Sequence, residues 1–402
     1  MNFLSDWKKN TEYFDLLQLM ARLSNLFSDN SVPYLHYRVT ENLFCKYYNA
    51  TNLSRSDTAY DAKTDNFGVG IKTFMLPHES SIEKIAEFNS ISSFLKEFEK
   101  EDLAFQLATA RNDRLKFSQR LYSIENGCYH IIGRVNDGLI LFNSPYNTIN
   151  TKKIHSVKDT GKALQFEDDK DFYSYNYSKS TLYKRFVIPK QNQERKEIEV
   201  SIIQDPYELL RELLNTKSYE GKSNDITTIH TAIHSQIRRY KQLLHGADYV
   251  ILPLFSPKQN IVPEKSGLNQ WNAAGRPRNP NEVYIPVPKK IHKNFPSFFP
   301  DREVDFILNL PNGKAIPAKI CQDGGKALMS NPNKLLGQWL LRDVLQLKEG
   351  ELLTMETLNR MGFDSVIIYK DSIHNFRIDV CRTTSYSDKL FTWRVCKRLN
   401  YL

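Results

Sequence analysis

The chain of 402 residues has no run approaching about 18 apolar residues, so no segment reads as a membrane-spanning helix. Its first residues, MNFLSDWKKNTEYFDLL, lack the long apolar stretch and small-residue cleavage site of a secretory leader. Cysteine is scarce. The five present (Cys45, Cys128, Cys321, Cys381 and Cys396) are scattered, which argues against a disulfide framework or a zinc knuckle and for a reducing compartment. Several catalytic signatures are missing too. There is no Gly-rich loop ending in Gly-Lys-Ser/Thr, no G-x-S-x-G, no HExxH and no histidine–asparagine cluster of the HNH kind. A glycine motif followed by Asn-Pro-Pro-Tyr is also lacking, which argues against a DNA methyltransferase.

What is present is ordinary globular composition, 41% hydrophobic and 25% charged, in a length that predicts two or three domains. The net charge of +9 is uneven: from Gly246 on there are 22 Lys+Arg against 15 Asp+Glu, so this part carries +7. A basic C-terminal part suggests a polyanionic partner. Apolar spacing predicts helices over Asn2–Leu26, Glu41–Tyr48, Ser81–Phe88, Glu97–Ser123, Pro206–Leu214 and Ile226–Leu244. A hairpin is expected over Asp57–Phe74, turning at Thr64-Asp65-Asn66, and another over Cys128–Phe142, turning at Asn136-Asp137-Gly138. Lys190–Lys196, after Pro189, reads as a linker. Beyond Tyr249, short β-like runs with turn signals, interrupted by a helix over Lys334–Val344, suggest a small barrel or sandwich.

Two polar segments stand out there: Ser266–Glu282 (SGLNQWNAAGRPRNPNE) and Gln322–Lys334 (QDGGKALMSNPNK). Both combine Gly or Pro backbones with the side chains that read base edges and hold phosphates, Arg and Lys for guanine, Asn and Gln for adenine. The stretches EKSGLNQW, GRPRNPNEVYIPVP, FFPDREVDFIL, AKICQDGGKALMSNPNKLLGQWLLRDVL and DSVIIYK occur in this order. They closely resemble the C-terminal DNA-recognition domain of restriction endonucleases of the BfiI and NgoFVII type, over about Tyr249 to Asp379. That resemblance implies a mainly β pseudobarrel, related to the plant B-three domain and the EcoRII effector domain, that binds double-stranded DNA. It makes the two segments DNA-clasping arms. The first carries Asn269, Gln270, Arg276, Arg278, Asn279, Asn281 and Glu282; the second carries Gln322, Lys326, Asn331, Asn333 and Lys334. Glu282 would either accept from a cytosine amino group or orient a neighbouring arginine. Trp271 and Trp339 read as core residues.

Enzymes of that type carry a phospholipase-D-like nuclease with His-x-Lys in front of the domain. No histidine here begins that motif, so those catalytic residues do not carry over. The alternative lies between Glu41 and Asn89: Glu41 on a helix, Asp57 and Asp61 on one hairpin arm, Lys72 on the other, then Glu83 and Glu87 on an expected helix. Carboxylates that hold Mg²⁺, with a lysine beside them, suit metal-dependent phosphodiester hydrolysis. The pattern resembles the PD-(D/E)xK nucleases, with one departure: Gly70 stands where the second acid belongs. Either Glu83 or Glu87 could supply it, Glu87 being favoured. Gly68 and Gly70 would allow close approach of a phosphate backbone or mark a bulge. The basic stretch Ser178–Arg185 is a further candidate for phosphate contact.

The expectation is therefore an α/β N-terminal nuclease domain (1–189, a mixed sheet with flanking helices), a helical connector (190–245) and a pseudobarrel reader (246–402). The expected function is that of a cytoplasmic prokaryotic type II restriction endonuclease, Mg²⁺-dependent, acting on double-stranded DNA. Separation of reader from cutter would permit type IIS cleavage at a distance. Cutting both strands would call for a homodimer, at least transiently on DNA, or for sequential nicks. A non-catalytic DNA-binding regulator and a methylation-dependent endonuclease are the alternatives.

Overall fold

The computed structural model of the chain describes residues 6–54, 58–191, 194–216 and 249–386. Asp57, the helix expected over Ile226–Leu244 and Cys396 lie outside them. Contacts divide the described residues into two compact units. The first holds 6–54, 59–87, 124–191 and 194–216; the second holds 58, 88–123 and 249–386.

In the first unit, α1 (Thr11–Arg22) starts at Asn10, whose side chain accepts from the Tyr13 amide. It packs with α2 (Tyr37–Tyr47) on one face of a six-stranded sheet. The sheet's strands are β1 (Thr51–Asn52), β2 (Ala62–Thr64), β3 (Phe67–Met75), β5 (Asn126–Val135), β6 (Gly138–Pro145) and β11 (Arg195–Glu199), in that order. All neighbours are antiparallel except β3 and β5, which run parallel. Alternation places Val69 and Ile71 of β3 and Cys128 and Ile132 of β5 against Tyr13, Phe14, Leu17 and Phe44 of the helices. Both expected hairpins form. Their loops turn through Asp65 and Asp137, each at positive φ, a conformation that Asp tolerates. Under the helices, fully buried His130 faces the Tyr13 hydroxyl at 3.0 Å and the Asn143 side-chain oxygen at 2.8 Å. Its Nδ1–H donates to Asn143, so Nε2 accepts from Tyr13. Burial pushes its pKa down to about 4.

A second, antiparallel sheet runs β4 (Ser80–Glu87), β10 (Thr181–Val187), β9 (Phe172–Asn176), β8 (Ala163–Glu167) and β7 (His155–Asp159). Here the sequence reading is corrected. Ser81–Phe88 does not form a helix: Ser80–Glu87 is a strand paired with β10, a partner about a hundred residues away that no local periodicity reveals. Ser178–Arg185 enters β10 rather than forming a basic loop. Lys184 is buried against Asp171 at 2.6 Å, while Arg185 lies over the Phe172 ring. The polar stretch after Pro189 leads into β11, which extends the first sheet.

In the second unit, seven strands follow the order β12 (Tyr249–Pro253), β17 (Phe363–Ser372), β18 (Asn375–Arg382), β14 (Asp305–Asn309), β15 (Ala315–Cys321), β16 (Ala327–Ser330) and β13 (Ile285–Pro286). The end strands β12 and β13 return to one another, so the sheet nearly closes into a barrel. Phe298, Phe299, Phe306 and Phe376 stack in its core. The long helix α3 (Lys100–Tyr122) belongs to this unit, although the sequence reading placed it in the N-terminal domain. Phe117 stacks on Phe363, the Arg120 Nε donates to the Val344 carbonyl (2.7 Å), and the Tyr122 hydroxyl donates to Asp379 (2.9 Å). The expected helix after Lys334 is α4, Leu335–Gly337 running into π-helical turns over Gln338–Val344.

Candidate nucleic-acid interface and acidic site

The first arm, Ser266–Glu282, is anchored at both ends by residues that had been read as base contacts. Asn269 is fully buried: its Nδ2 donates to the carbonyls of Pro263 (3.1 Å) and Leu353 (2.9 Å), and its Oδ1 accepts from the Leu353 amide (2.9 Å). All its hydrogen-bonding capacity faces inward, so it is a bracket and not a reader. Asn281 donates to Gln338 Oε1 and accepts from Arg342 Nε, each at 2.8 Å. Arg342 also donates to the carbonyls of Pro280, Leu347 and Lys348, which ties the arm to α4. Gly337 makes that approach possible. A Cβ there would stand 2.1 Å from the Asn281 carbonyl oxygen, far inside van der Waals contact. The sequence reading missed both Arg342 and Gly337, because their roles depend on a contact across more than fifty residues.

Glu282 is 2% exposed and collects three partners. Arg276 Nη2 donates to its Oε1 at 2.5 Å, the Arg278 Nε lies 3.5 Å from the same oxygen, and Asn333 Nδ2 donates to its Oε2 at 2.9 Å. Of the two options left open for Glu282, the geometry gives the orientation of arginine. The arginines differ in exposure: the Arg276 side chain is 54% exposed, Arg278 only 12%. Arg278 spends its Nη1 on the carbonyls of Ala273, Ala274 and Arg276 and so braces the loop from within. Asn279 is exposed, with its Oδ1 accepting from the Asn281 amide, and Gln270 is half-buried.

The second segment does not form a single arm. Its middle, Ala327–Ser330, is β16, so Lys326 and Asn331 sit at opposite ends of a strand, about 16 Å apart at ordinary strand rise. Only the later end, with half-buried Asn333 and exposed Lys334, is joined to the first arm. Asn331 there donates to the Asp305 carboxylate. The earlier end has half-buried Gln322 and exposed Lys326 flanking the left-handed Gly324 and Gly325. The Gly325 carbonyl accepts from His292 Nε2 at 2.8 Å. Trp339 is buried as expected; Trp271 is half-buried.

In the first unit, α2 presents Glu41, 5% exposed, to Arg38, whose Nη1 also donates to Ser54. Asp61 Oδ2 accepts from the Ile71 amide at 2.7 Å, which fixes the carboxylate against β3. Burial and then the Asp61 charge raise the Glu41 pKa, against the opposing effects of Ser54 and Arg38. The Cys45 thiol is pushed up to about 12 by burial, then by Glu41 and Asp61. Two of the expected acids are thus neighbours. The ammonium of Lys72, half-buried on β3, makes no hydrogen bond or ion pair to the described residues; its charge is felt at Glu83. Glu83 is half-buried, accepts from Ser81 (2.6 Å), and has its pKa raised by burial against Ser81, Lys72 and Arg134. Glu87, the acid favoured from sequence, sits instead on the strand β4, exposed and ion-paired with Lys84 at 3.3 Å.

Gly70 has a packing explanation. Tyr129 and Tyr146 stack with centroids 3.8 Å apart, and a Cβ at position 70 would come within 2.9 Å of Tyr146 and 3.1 Å of Tyr129. The close approach that the glycine permits is that of tyrosine rings. Among the described residues, no group of three or more His, Cys, Asp or Glu side chains is placed to hold a metal ion, and no helix is long and apolar enough to cross a membrane.

No curated protein matches the chain. Residues 248–372, which run from the start of the barrel to the end of β17, match the family model of the NgoFVII C-terminal B3-like DNA-binding domain.

Proposed function

We propose that the chain is a restriction endonuclease that recognises a sequence in double-stranded DNA with its C-terminal unit and hydrolyses phosphodiesters with its N-terminal unit. The observation that carries the reading is the match of residues 248–372 to a DNA-binding domain of restriction-enzyme origin, on a nearly closed barrel. Exposed Arg276, Asn279 and Lys334 on the coupled arms, and Lys326 and Gln322 on the separate turn, are the side chains available to bases and phosphates.

Support for hydrolysis is the adjacency of Glu41 and Asp61 beside the hairpin that bears Lys72. Two neighbouring carboxylates repel one another, and a divalent cation relieves that repulsion. Mg²⁺ needs only one or two protein carboxylates when water and phosphate complete its shell. Glu41 and Asp61 fit that requirement, and Glu83, whose titration feels the charge of Lys72, is a better third acid than the exposed Glu87. The bound ion would supply an activated water and offset charge developing on the phosphate. Lys72 would add a positive charge toward the scissile phosphate. Cleavage of both strands would require two copies on DNA, or sequential nicks.

A DNA-binding regulator without catalysis is the second reading, favoured by the tyrosines that fill the place of an acid at position 70. Digestion of unmethylated and methylated phage DNA, in Mg²⁺ or EDTA, separates the readings. Discrete Mg²⁺-dependent bands that disappear in Lys72→Ala, with DNA binding retained, are the expected result. Binding without cleavage of either DNA would select the regulator.

A further inference from the structure

The two DNA-facing segments share one buried charge. We propose that Glu282 is a positioning residue that couples Arg276 on the first arm to Asn333 on the second, so that the two read bases as one unit; this rests on the DNA-binding reading of the C-terminal unit.

The chemistry of the three groups makes the coupling directional. An ionised carboxylate only accepts hydrogen bonds. Glu282 therefore selects the Asn333 rotamer that turns Nδ2 toward it. One amide hydrogen and the Oδ1 of Asn333 then make no hydrogen bond to the described residues. They form the donor–acceptor pair that asparagine uses on an adenine edge. Arg276 Nη2 is held on the other oxygen of the same carboxylate, and Nη1 donates to the Pro277 carbonyl at 3.2 Å. Its guanidinium is oriented at one side, yet half exposed, which leaves N–H groups for a guanine. Arg278 lies near the same Glu282 oxygen but is almost covered, so it supports the carboxylate without reaching outward.

A further consequence concerns charge. Loss of the carboxylate would release a half-exposed guanidinium, and a released arginine binds phosphates regardless of sequence. The pair, buried only on the side of Glu282, therefore restrains non-specific binding while it fixes the specific contacts. A merely structural glutamate would act differently, lowering specific and non-specific affinity together through loss of fold.

The test compares Glu282→Gln, Asn333→Ala and the double variant with wild type, as full chains in EDTA. Fluorescence anisotropy measures binding to two probes. One is the duplex that wild type enriches from a randomised pool; the other is a fixed scrambled duplex. For Glu282→Gln we expect affinity for the enriched duplex to fall about tenfold or more. Affinity for the scrambled duplex should hold or rise, with a salt dependence steeper by about one charge. Once Glu282 is glutamine, Asn333→Ala should add less than its single effect. An enriched-duplex affinity within about twofold of wild type, additive variants, or parallel losses on both probes with a lowered melting temperature would each overturn the coupling. If wild type enriches no duplex, the reading of the unit as a sequence-specific DNA binder fails instead.

Discussion

Replacing Gly70 by aspartate restores the acid that the nuclease pattern calls for, and the tyrosine stack opposes it. A Cβ at 70 already meets the Tyr146 ring at 2.9 Å and the Tyr129 ring at 3.1 Å. Those rings are 8% and 1% exposed, and Tyr129 also packs edge-on against Phe186 of β10. Gly70→Ala alone should cost about 1–3 kcal/mol in overpacking. Aspartate adds a carboxylate confined between two rings, a desolvation penalty of several kcal/mol more. The sum approaches the whole stability of an ordinary domain, about 5–15 kcal/mol. The assay is hydrogen exchange at the amides of β3 and β5, which reads local stability in this unit, together with a Mg²⁺ digest. The expected order of protection is wild type, then Gly70→Ala, then Gly70→Asp, with no gain in cleavage. A Gly70→Asp variant that stays protected and cleaves faster would refute the packing account and put a metal ligand beside Lys72, which shares that face of β3.

Three further outcomes follow from single residues. Asn269→Ala leaves a buried amide and two carbonyls without partners. It should destabilise the barrel by about 3–5 kcal/mol, read by urea denaturation, whereas loss of DNA affinity at unchanged stability would restore Asn269 as a reader. The Glu41 carboxyl titrates above its ordinary range in the folded chain, so its contribution to stability is lost as pH rises through that titration. Glu41→Gln should therefore melt higher than wild type near neutral pH and fail to cleave DNA; an unchanged or lower melting temperature would mean that the Arg38 pairing outweighs the cost of burying the carboxylate. His130 is depressed to about 4, so the unfolded chain binds its proton first. Stability should fall by up to about 3 kcal/mol as pH drops from about 6.5 toward 4, and its imidazole NMR signal should not titrate above about pH 5; a midpoint near 6.5 would refute its neutral burial.

The two hairpins were legible because Asp65 and Asp137 mark their turns and the flanking residues alternate. The barrel was legible from short β-like runs and from motifs that lie in order along the chain. The strand over Ser80–Glu87 was not, since Ile82, Ile85 and Ala86 mimic helical spacing and the pairing strand lies at Thr181–Val187. That misreading also weighted the choice between Glu83 and Glu87 toward Glu87, which is exposed and paired with Lys84. At the two arms, residue type could not separate inward-facing side chains from exposed ones. Asn269 and Asn279 are the same residue, one wholly inward and one exposed, and only the three-dimensional hydrogen-bond pattern separates them. Likewise Ala327–Ser330 looks like part of a polar loop until β15 and β13 pair with it on either side.

The inclusion of α3 in the barrel unit has a consequence for inheritance. A fragment beginning near Gly246 would lack the helix that stacks Phe117 on Phe363 and caps Val344, and would leave that apolar surface bare. The barrel unit is therefore not one contiguous stretch of sequence. Any recombination that exchanged it for another specificity would also have to exchange 88–123, the stretch that carries the chain from β4 back to β5. The two units are interleaved along the sequence, so neither can be inherited as a single block of chain.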